Sequence, residues 1–362
     1  MKHFSVMIKP ASSACNLRCR YCFYEDEASS RSTTSYGIMQ KDIMEAVIDN
    51  VFAGLTGKDE VTFAFQGGEP TVAGIGFFRD FADYVDRKKS TNRHVAVSYV
   101  IQTNATLLDD DWCAFFKERN FLVGVSLDLH RGCHDSVRVD ANGDGTFDTV
   151  LKGIDLLKHH GVSYNILSTL TEELAGYPRK VWDFIVKNDY EYVQFTPCMD
   201  GLEGKNGYGL RPESFASFYR DIFDRWYDDF TAGRGRSIKL FDDIANLLLF
   251  GKRTACGIDG HCTPQIIVGA DGSVYPCDFY CLDEYKIGNL ASENILDLYE
   301  KARISPAGAP APAQMCKGCR YERFCGGGCK RMRSNVCFVN DSGDYCGYRD
   351  LLDFAIPKLR RL

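Results

Sequence analysis

Up to about Cys198 the chain alternates short runs of β-branched and aromatic residues with longer segments whose apolar positions recur every three or four residues. The short runs suit strands, whose side chains alternate between faces, and the longer segments suit helices with one apolar stripe. Strands are predicted at Ser5–Lys9, Val61–Phe65, Val95–Gln102, Leu122–Leu127, Ser163–Ser168 and Tyr192–Thr196. Helices are predicted at Lys41–Leu55, Gly76–Lys89, Asp110–Arg119, Thr149–His160 and Arg179–Asn188. About six βα units in succession give an α/β fold with a parallel sheet. Six are too few to close an eight-stranded barrel, so an open, partial (β/α)6 barrel of TIM-like type is expected.

In parallel α/β architectures, ligand sites form at the carboxyl ends of the strands. Here those ends carry Gln66-Gly67-Gly68-Glu69-Pro70, Gln102-Thr103-Asn104, Ser126-Leu127-Asp128 and Gln194-Phe195-Thr196-Pro197. From about Gly201 to Lys252 the pattern is helical, with an aromatic stripe (Phe215, Phe218, Tyr219, Phe223, Trp226, Tyr227, Phe230) that reads as core packing. Beyond Cys256 the composition changes: ten cysteines fall within 91 residues, among many glycines. The expected organisation is therefore a barrel domain over residues 1–235, including the start of the helical bridge, and a cysteine-rich domain over 236–362. Pro306–Pro312 reads as a low-complexity, exposed loop.

Composition narrows the class. With 45% hydrophobic and 25% charged residues the chain is that of a globular protein. A net charge of -6, without a clustered basic surface, disfavours a nucleic-acid partner. No run approaches the roughly 20 apolar residues that span a bilayer, and MKHFSVMIKP has no signal-peptide layout. No membrane association and a cytoplasmic location are expected. In that reducing compartment, 16 grouped cysteines point to metal ligation or redox chemistry rather than disulfides.

Cys15, Cys19 and Cys22 stand at C-x3-C-x2-C spacing on a loop after the first strand. Three thiolates so placed can hold three irons of a [4Fe–4S] cube and leave the fourth open. A zinc site normally takes four protein ligands, and no fourth Cys or His is near in sequence. From Cys262 the later cysteines run C-x9-G-x4-C (Gly272, Cys277), then C-x2-C-x5-C-x3-C from Cys316 to Cys329, then Cys346. C-x2-C is shared with zinc proteins, so on its own this part suits either metal. Asp140, Asn142, Asp144 and Gly145 lack the rest of a calcium loop and read as a turn. His3, His94 and His261 have no ligand constellation.

The first motif, followed by Phe23, resembles the signature of the radical S-adenosylmethionine (SAM) superfamily, and Gly67-Gly68-Glu69-Pro70 resembles that family's GGEP segment. The later pattern resembles the family's SPASM extension. The resemblance implies a reactive cluster on Cys15, Cys19 and Cys22 whose open iron binds SAM, and one-electron cleavage of SAM to a 5′-deoxyadenosyl radical. It also implies two auxiliary [4Fe–4S] clusters, one on Cys256, Cys262, Cys277 and Cys329 and one on Cys316, Cys319, Cys325 and Cys346. That makes three clusters. SAM contacts are implied for Tyr21, Gly68, Ser126, Arg138 and Val193. Cys113, Cys133, Cys198, Cys281 and Cys337 stay unassigned, with core packing the reading for Cys113 and Cys198.

Within the superfamily, IKPASSACNLRCRYCFY, FAFQGGEPTVAG, IQTNATL, FLVGVSLD, CTPQIIVGADGSVYPCDFY, IGNL and FCGGGCKR are similar to the anaerobic sulfatase-maturating enzymes. That similarity implies oxidation of a Cys or Ser side chain to Cα-formylglycine. The substrate implied is a sulfatase segment (Cys or Ser, any residue, Pro, any residue, Arg), with Asp278 as the base and a flavodoxin or ferredoxin as reductant. The alternative within the same cofactor class is a thioether or carbon–carbon cross-link in a ribosomal peptide. The chain departs from the family at Leu129-His130-Arg131-Gly132-Cys133, where a Gly-Pro pair is usual, which changes the backbone angles open to a loop expected beside the SAM site.

Overall fold

A computed structural model describes residues 2–202, 204–305, 312–333 and 338–362. Cys337 and most of the Pro306–Pro312 loop lie outside the described residues. In chain order the barrel region contains β1 (His3–Ile8), α1 (Phe23–Ser29), α2 (Lys41–Gly54), β2 (Glu60–Phe65), α3 (Ile75–Thr91), β3 (Ala96–Thr103), α4 (Asp110–Glu118) and β4 (Leu122–Ser126). Next come α5 (Arg131–Val137), α6 (Phe147–His159), β5 (Ser163–Leu170), α7 (Pro178–Lys187), β6 (Tyr192–Pro197), α8 (Pro212–Thr231), β7 (Ser237–Ile238) and α9 (Lys239–Phe250). The remainder holds β8 (Ile266–Val268), β9 (Ser273–Tyr275), β10 (Gly288–Asn289), α10 (Ile295–Ile304), α11 (Glu322–Cys325), α12 (Lys330–Arg333) and α13 (Gly347–Leu359).

The chain forms two compact units: residues 1–126, 138–164 and 264–307 make the first, and 127–137, 165–263 and 308–362 the second. In the first, β1, β2, β3 and β4 run parallel in that order, with Phe65 opposite Ile101 and Thr103 opposite Val125. Period-two alternation puts Val6, Ile8, Val61, Phe63, Phe65, Ile101, Val123 and Val125 on one buried face. Helical rings pack there edge-to-face: Phe63 against Phe81 at 5.0 Å, Phe65 against Phe78 at 4.9 Å. The opposite parity carries Gln66, Gln102 and Ser126 at the carboxyl ends of the strands.

The other edge of β1 is taken by β8, also parallel, with Val6 opposite Ile266 and Ile8 opposite Val268. Antiparallel β9 and β10 follow. This pairing sets the turn after β9, which begins at Asp278, beside the end of β1.

In the second unit β5, β6 and β7 are parallel. Leu127 donates its backbone N–H to Leu167 O, and Asp128 Oδ1 accepts the N–H of Thr169, so the segment after β4 is pinned to the end of β5. Only its first residues are loop: α5 starts at Arg131, and the buried His134 accepts the Asp128 N–H at Nδ1. Of the aromatic stripe, Phe215, Phe218, Tyr219, Phe223 and Trp226 are buried in α8, and Phe230 is exposed. Among the described residues no helix is long and apolar enough to cross a membrane.

Candidate active site

The loop between β1 and α1 holds Cys15, Cys19 and Cys22, all half-buried, and none of the described cysteines is in a disulfide. Backbone N–H groups face the sulfurs: Leu17 donates to Cys15 Sγ at 3.4 Å, and Tyr24 and Glu25 donate to Cys22. Burial pushes the Cys15 thiol up to about 11 and raises Cys22 as well. Thiols in such places ionise when a cation takes the proton's place, with the N–H donors already arranged for thiolate.

The buried Glu69 carboxylate shapes this loop. It accepts from Thr71 N (3.0 Å), Thr71 Oγ1 (2.7 Å), Thr103 Oγ1 (2.7 Å) and Asn104 N (2.7 Å). Burial raises its pKa while these donors pull it down. Asn104 then donates to Asn16 Oδ1 at 2.9 Å, which ties the ends of β2 and β3 to the cysteine loop. Gly68 sits at φ +56°, and a Cβ there would lie 2.4 Å from Ala14 O. Only glycine permits this close approach of the two loops.

Tyr21 and Arg138 are brought together because Arg18 N bonds Val139 O at 2.7 Å and Leu17 pairs with Asp140. The buried Arg138 guanidinium stands 5.3 Å from the Tyr21 ring centroid. Ser126 accepts from Gln102 Nε2 at 2.9 Å. Val193, in the second unit, is buried in β6. The Asp140 segment closes as a turn on its own carboxylate, with Asn142 N and Asp144 N bonded to Asp140 Oδ1.

Asp278 lies in a buried polar cluster. Tyr24 donates to its Oδ2 at 2.6 Å, and Gln66 Nε2 lies 3.3 Å from the same oxygen and 2.5 Å from the Tyr24 hydroxyl. Lys9 Nζ is 3.0 Å from Oδ1 and 3.6 Å from Glu27 Oε2. Burial works against the Lys9 charge, but Asp278, Cys281 and Glu27 outweigh it and hold the ammonium protonated. Burial drives Glu27 up to about 7, against the pull of Lys9. A small cavity lined by Ser12, Ser13, Tyr36 and Asp271 meets this cluster at Lys9, Tyr24 and Glu27. Of these residues the sequence points to Asp278 as the base and to Gln66 as a strand-end polar group. Lys9, Tyr24 and Glu27 carry no local signal beyond lying close to the first cysteine motif.

Cys281 belongs to the core: it is buried against Ile267, Tyr275 and Met7, and its N–H is bonded to Glu27. Cys113, Cys133 and Cys198 are buried too.

In the second unit Cys316, Cys319, Cys325 and Cys346 line one cleft with Met315, Tyr321, Arg349 and Leu352. Four thiols around one cleft is what a cube-shaped cluster requires. Cys346 caps α13, its sulfur accepting the N–H of Arg349 at 3.4 Å. Cys256, Cys262 and Cys329 gather separately. The Cys262 thiol donates to Cys256 and lowers it to about 6, and a Cβ on Gly257 would lie 2.8 Å from Cys329 Cα. Cys277, the fourth residue of that set, ends in the first unit directly before Asp278.

Comparisons with known proteins give the family. The Radical SAM superfamily model matches residues 10–174, and the SPASM iron–sulfur cluster-binding domain matches 261–320. These define an iron–sulfur enzyme of the radical SAM class with a SPASM extension, which binds SAM at a [4Fe–4S] cluster. The chain is 40% identical to a cysteine-type anaerobic sulfatase-maturating enzyme of Clostridium novyi, over 99% of this chain and 97% of the relative. It is 31% identical to a serine-type enzyme of Bacteroides thetaiotaomicron, over 92% and 84%. The solved structure of native anSMEcpe with bound AdoMet and Cp18Cys peptide superposes with a TM-score of 0.88 at 36% identity, covering 99% of this chain and 98% of that one. The chain belongs to the anaerobic sulfatase-maturating enzymes. The expected fold, a partial barrel followed by a cysteine-rich cluster domain, is the fold of this family.

Proposed function

We propose that the protein oxidises a Cys or Ser side chain in a sulfatase precursor to Cα-formylglycine, within a Cys/Ser-x-Pro-x-Arg segment. Family membership over the whole chain supports the reaction, and the observation that carries the residue assignment is the clustering of Tyr24, Gln66 and Lys9 on the Asp278 carboxylate. The cysteine-type relatives match at 36–40% identity and the serine-type ones at 29–31%, which favours cysteine as the substrate side chain.

Cys15, Cys19 and Cys22 would hold the SAM-binding cluster. Cys256, Cys262, Cys277 and Cys329 would hold one auxiliary cluster, and Cys316, Cys319, Cys325 and Cys346 the other. When bound, the clusters and SAM supply the 5′-deoxyadenosyl radical that removes a Cβ hydrogen, and an acceptor for the second electron. The chain does the rest. Tyr21, Gly68, Ser126, Arg138 and Val193 would seat SAM, with Arg138 pairing with its carboxylate. Asp278 takes the side-chain S–H or O–H proton, held in place by the Tyr24 and Gln66 donors. Two hydrogens leave in all, one as an atom and one as a proton with its electron following. A serine then yields the aldehyde directly; a cysteine yields a thioaldehyde that water converts to aldehyde and hydrogen sulfide. A flavodoxin- or ferredoxin-type donor in a reducing cytoplasm suits the low potential required.

The test is anaerobic incubation of the reconstituted, reduced protein with SAM and a Cys-x-Pro-x-Arg peptide, read by mass spectrometry. The expected product is about 18 Da lighter, or about 2 Da lighter from the Ser peptide, with deoxyadenosine formed alongside. Deoxyadenosine with an unchanged peptide would overturn the substrate assignment and leave the radical chemistry standing.

A further inference from the structure

Lys9 and Glu27 form a buried ion pair that the reaction as described does not require. Side-chain exposure is 8% for Lys9 and 4% for Glu27. Taking a lysine and two carboxylates out of water costs several kcal/mol per ion, and a well-packed apolar set would usually be as stable or more so. The fold nonetheless makes room for the pair. Gly67 lacks the Cβ that would lie 2.7 Å from Lys9 Cγ, and the Lys9 ammonium rests 4.3 Å from the Tyr24 ring centroid. Glu27 is held from its far side by the backbone N–H of Cys281 at 3.2 Å, and so fixes Lys9 between two carboxylates.

Asp278 starts a single short turn after β9, and no regular element of its own holds its side chain. Its two oxygens have separate anchors: Tyr24 and Gln66 at Oδ2, Lys9 at Oδ1. Without the ammonium, no other group among the described residues holds Oδ1, and the carboxylate is anchored through Oδ2 alone, about which it can turn. A base acts only within about 2.6–3.2 Å of the proton it removes.

We infer that Lys9, braced by Glu27, is a positioning residue for Asp278, fixing the carboxylate in the orientation from which it takes the substrate proton. This rests on the formylglycine reading. Lys9 touches neither substrate nor SAM in this role and acts only through Asp278.

The experiment compares the parent with Lys9→Met, Lys9→Met/Glu27→Gln, Asp278→Asn and Lys9→Met/Asp278→Asn, all loaded with iron–sulfur clusters and assayed for aldehyde and deoxyadenosine. The double variant Lys9→Met/Glu27→Gln leaves no unpaired Glu27 charge and guards against misfolding. Aldehyde kcat is expected to fall about 10- to 100-fold in Lys9→Met and in Lys9→Met/Glu27→Gln, with peptide KM within about threefold and deoxyadenosine still formed. Adding Lys9→Met to Asp278→Asn is expected to cost nothing further, because a residue that acts through another has no effect once that one is gone. A crystal structure of the Lys9→Met/Glu27→Gln variant should show Asp278 Oδ1 displaced, with the carboxylate turned about its Oδ2 contact to Tyr24. Parent-like aldehyde formation, an equal loss of aldehyde and deoxyadenosine, multiplicative losses with Asp278→Asn, or an unmoved Asp278 would each overturn the inference. A parent that forms deoxyadenosine but no aldehyde would instead overturn the formylglycine reading on which it stands.

Discussion

The Tyr24 hydroxyl donates to Asp278 Oδ2 at 2.6 Å across 254 residues of chain. Burial, followed by the Asp278 charge and this hydrogen bond, raises the phenol well above its ordinary pKa, so it stays a donor throughout the working pH range. A hydrogen bond to a charged group contributes about 1.5–3 kcal/mol. Tyr24→Phe is therefore expected to slow aldehyde formation about 10- to 100-fold while deoxyadenosine is still released. Parent-like aldehyde turnover in single-turnover assays would show that the contact does not support the base.

Glu69 organises the approach of the cysteine loop to the ends of β2 and β3. In Glu69→Gln the amide nitrogen must face at least one of the four donors that now meet a carboxylate. Losing one such bond and opposing two donors in a buried place costs about 2–4 kcal/mol. A melting temperature lower by about 3–5 °C is expected, with weaker retention of iron on the first cysteine motif. Unchanged melting and iron content would mean the loops hold without it.

Glu27 gives a stability signature in pH. Its folded pKa of about 7 lies above the ordinary 4.5, first because of burial and then despite Lys9. A carboxyl that holds its proton more tightly when folded favours the folded state at low pH, and that contribution is lost as pH rises through about 7. Relative to Glu27→Gln, the parent is expected to lose about 1 kcal/mol between about pH 6 and pH 8. The check is the difference in melting temperature between the two proteins across that range. A constant difference would mean that Glu27 does not titrate there.

The cleft shared by Cys316, Cys319, Cys325 and Cys346 predicts an iron count. Cys325→Ala removes one of four thiols and is expected to lower iron from about twelve to about eight per chain after anaerobic reconstitution. Iron and sulfide analysis decides it. A count that stays near the parent's would remove Cys325 from the ligand set.

Much was legible without coordinates because it is local. Cysteine spacing is a property of short segments, and C-x3-C-x2-C places three thiols on one loop whatever surrounds it. The alternation of strands and helices was readable too: the strand predicted at Val61–Phe65 forms as Glu60–Phe65, and the helix predicted at Lys41–Leu55 as Lys41–Gly54. Helix α1 carried no such signal, since Phe23-Tyr24-Glu25-Asp26-Glu27-Ala28-Ser29 has too few turns to show a period.

By itself the sequence determined which thiols exist and how they are spaced, the α/β class, and the family to which those motifs belong. Only the tertiary structure decided what surrounds Asp278. That setting depends on the three-residue strand β8 pairing with β1, which brings residues 266–268 against residues 6–8. A three-residue apolar run is too short to announce its partner. The pairing is chosen by burial of Val6, Ile8, Ile266 and Val268 together, an energy shared among residues far apart in the chain. Lys9, Glu27 and Asp278 meet as a consequence of that packing, and no spacing along the chain encodes the meeting.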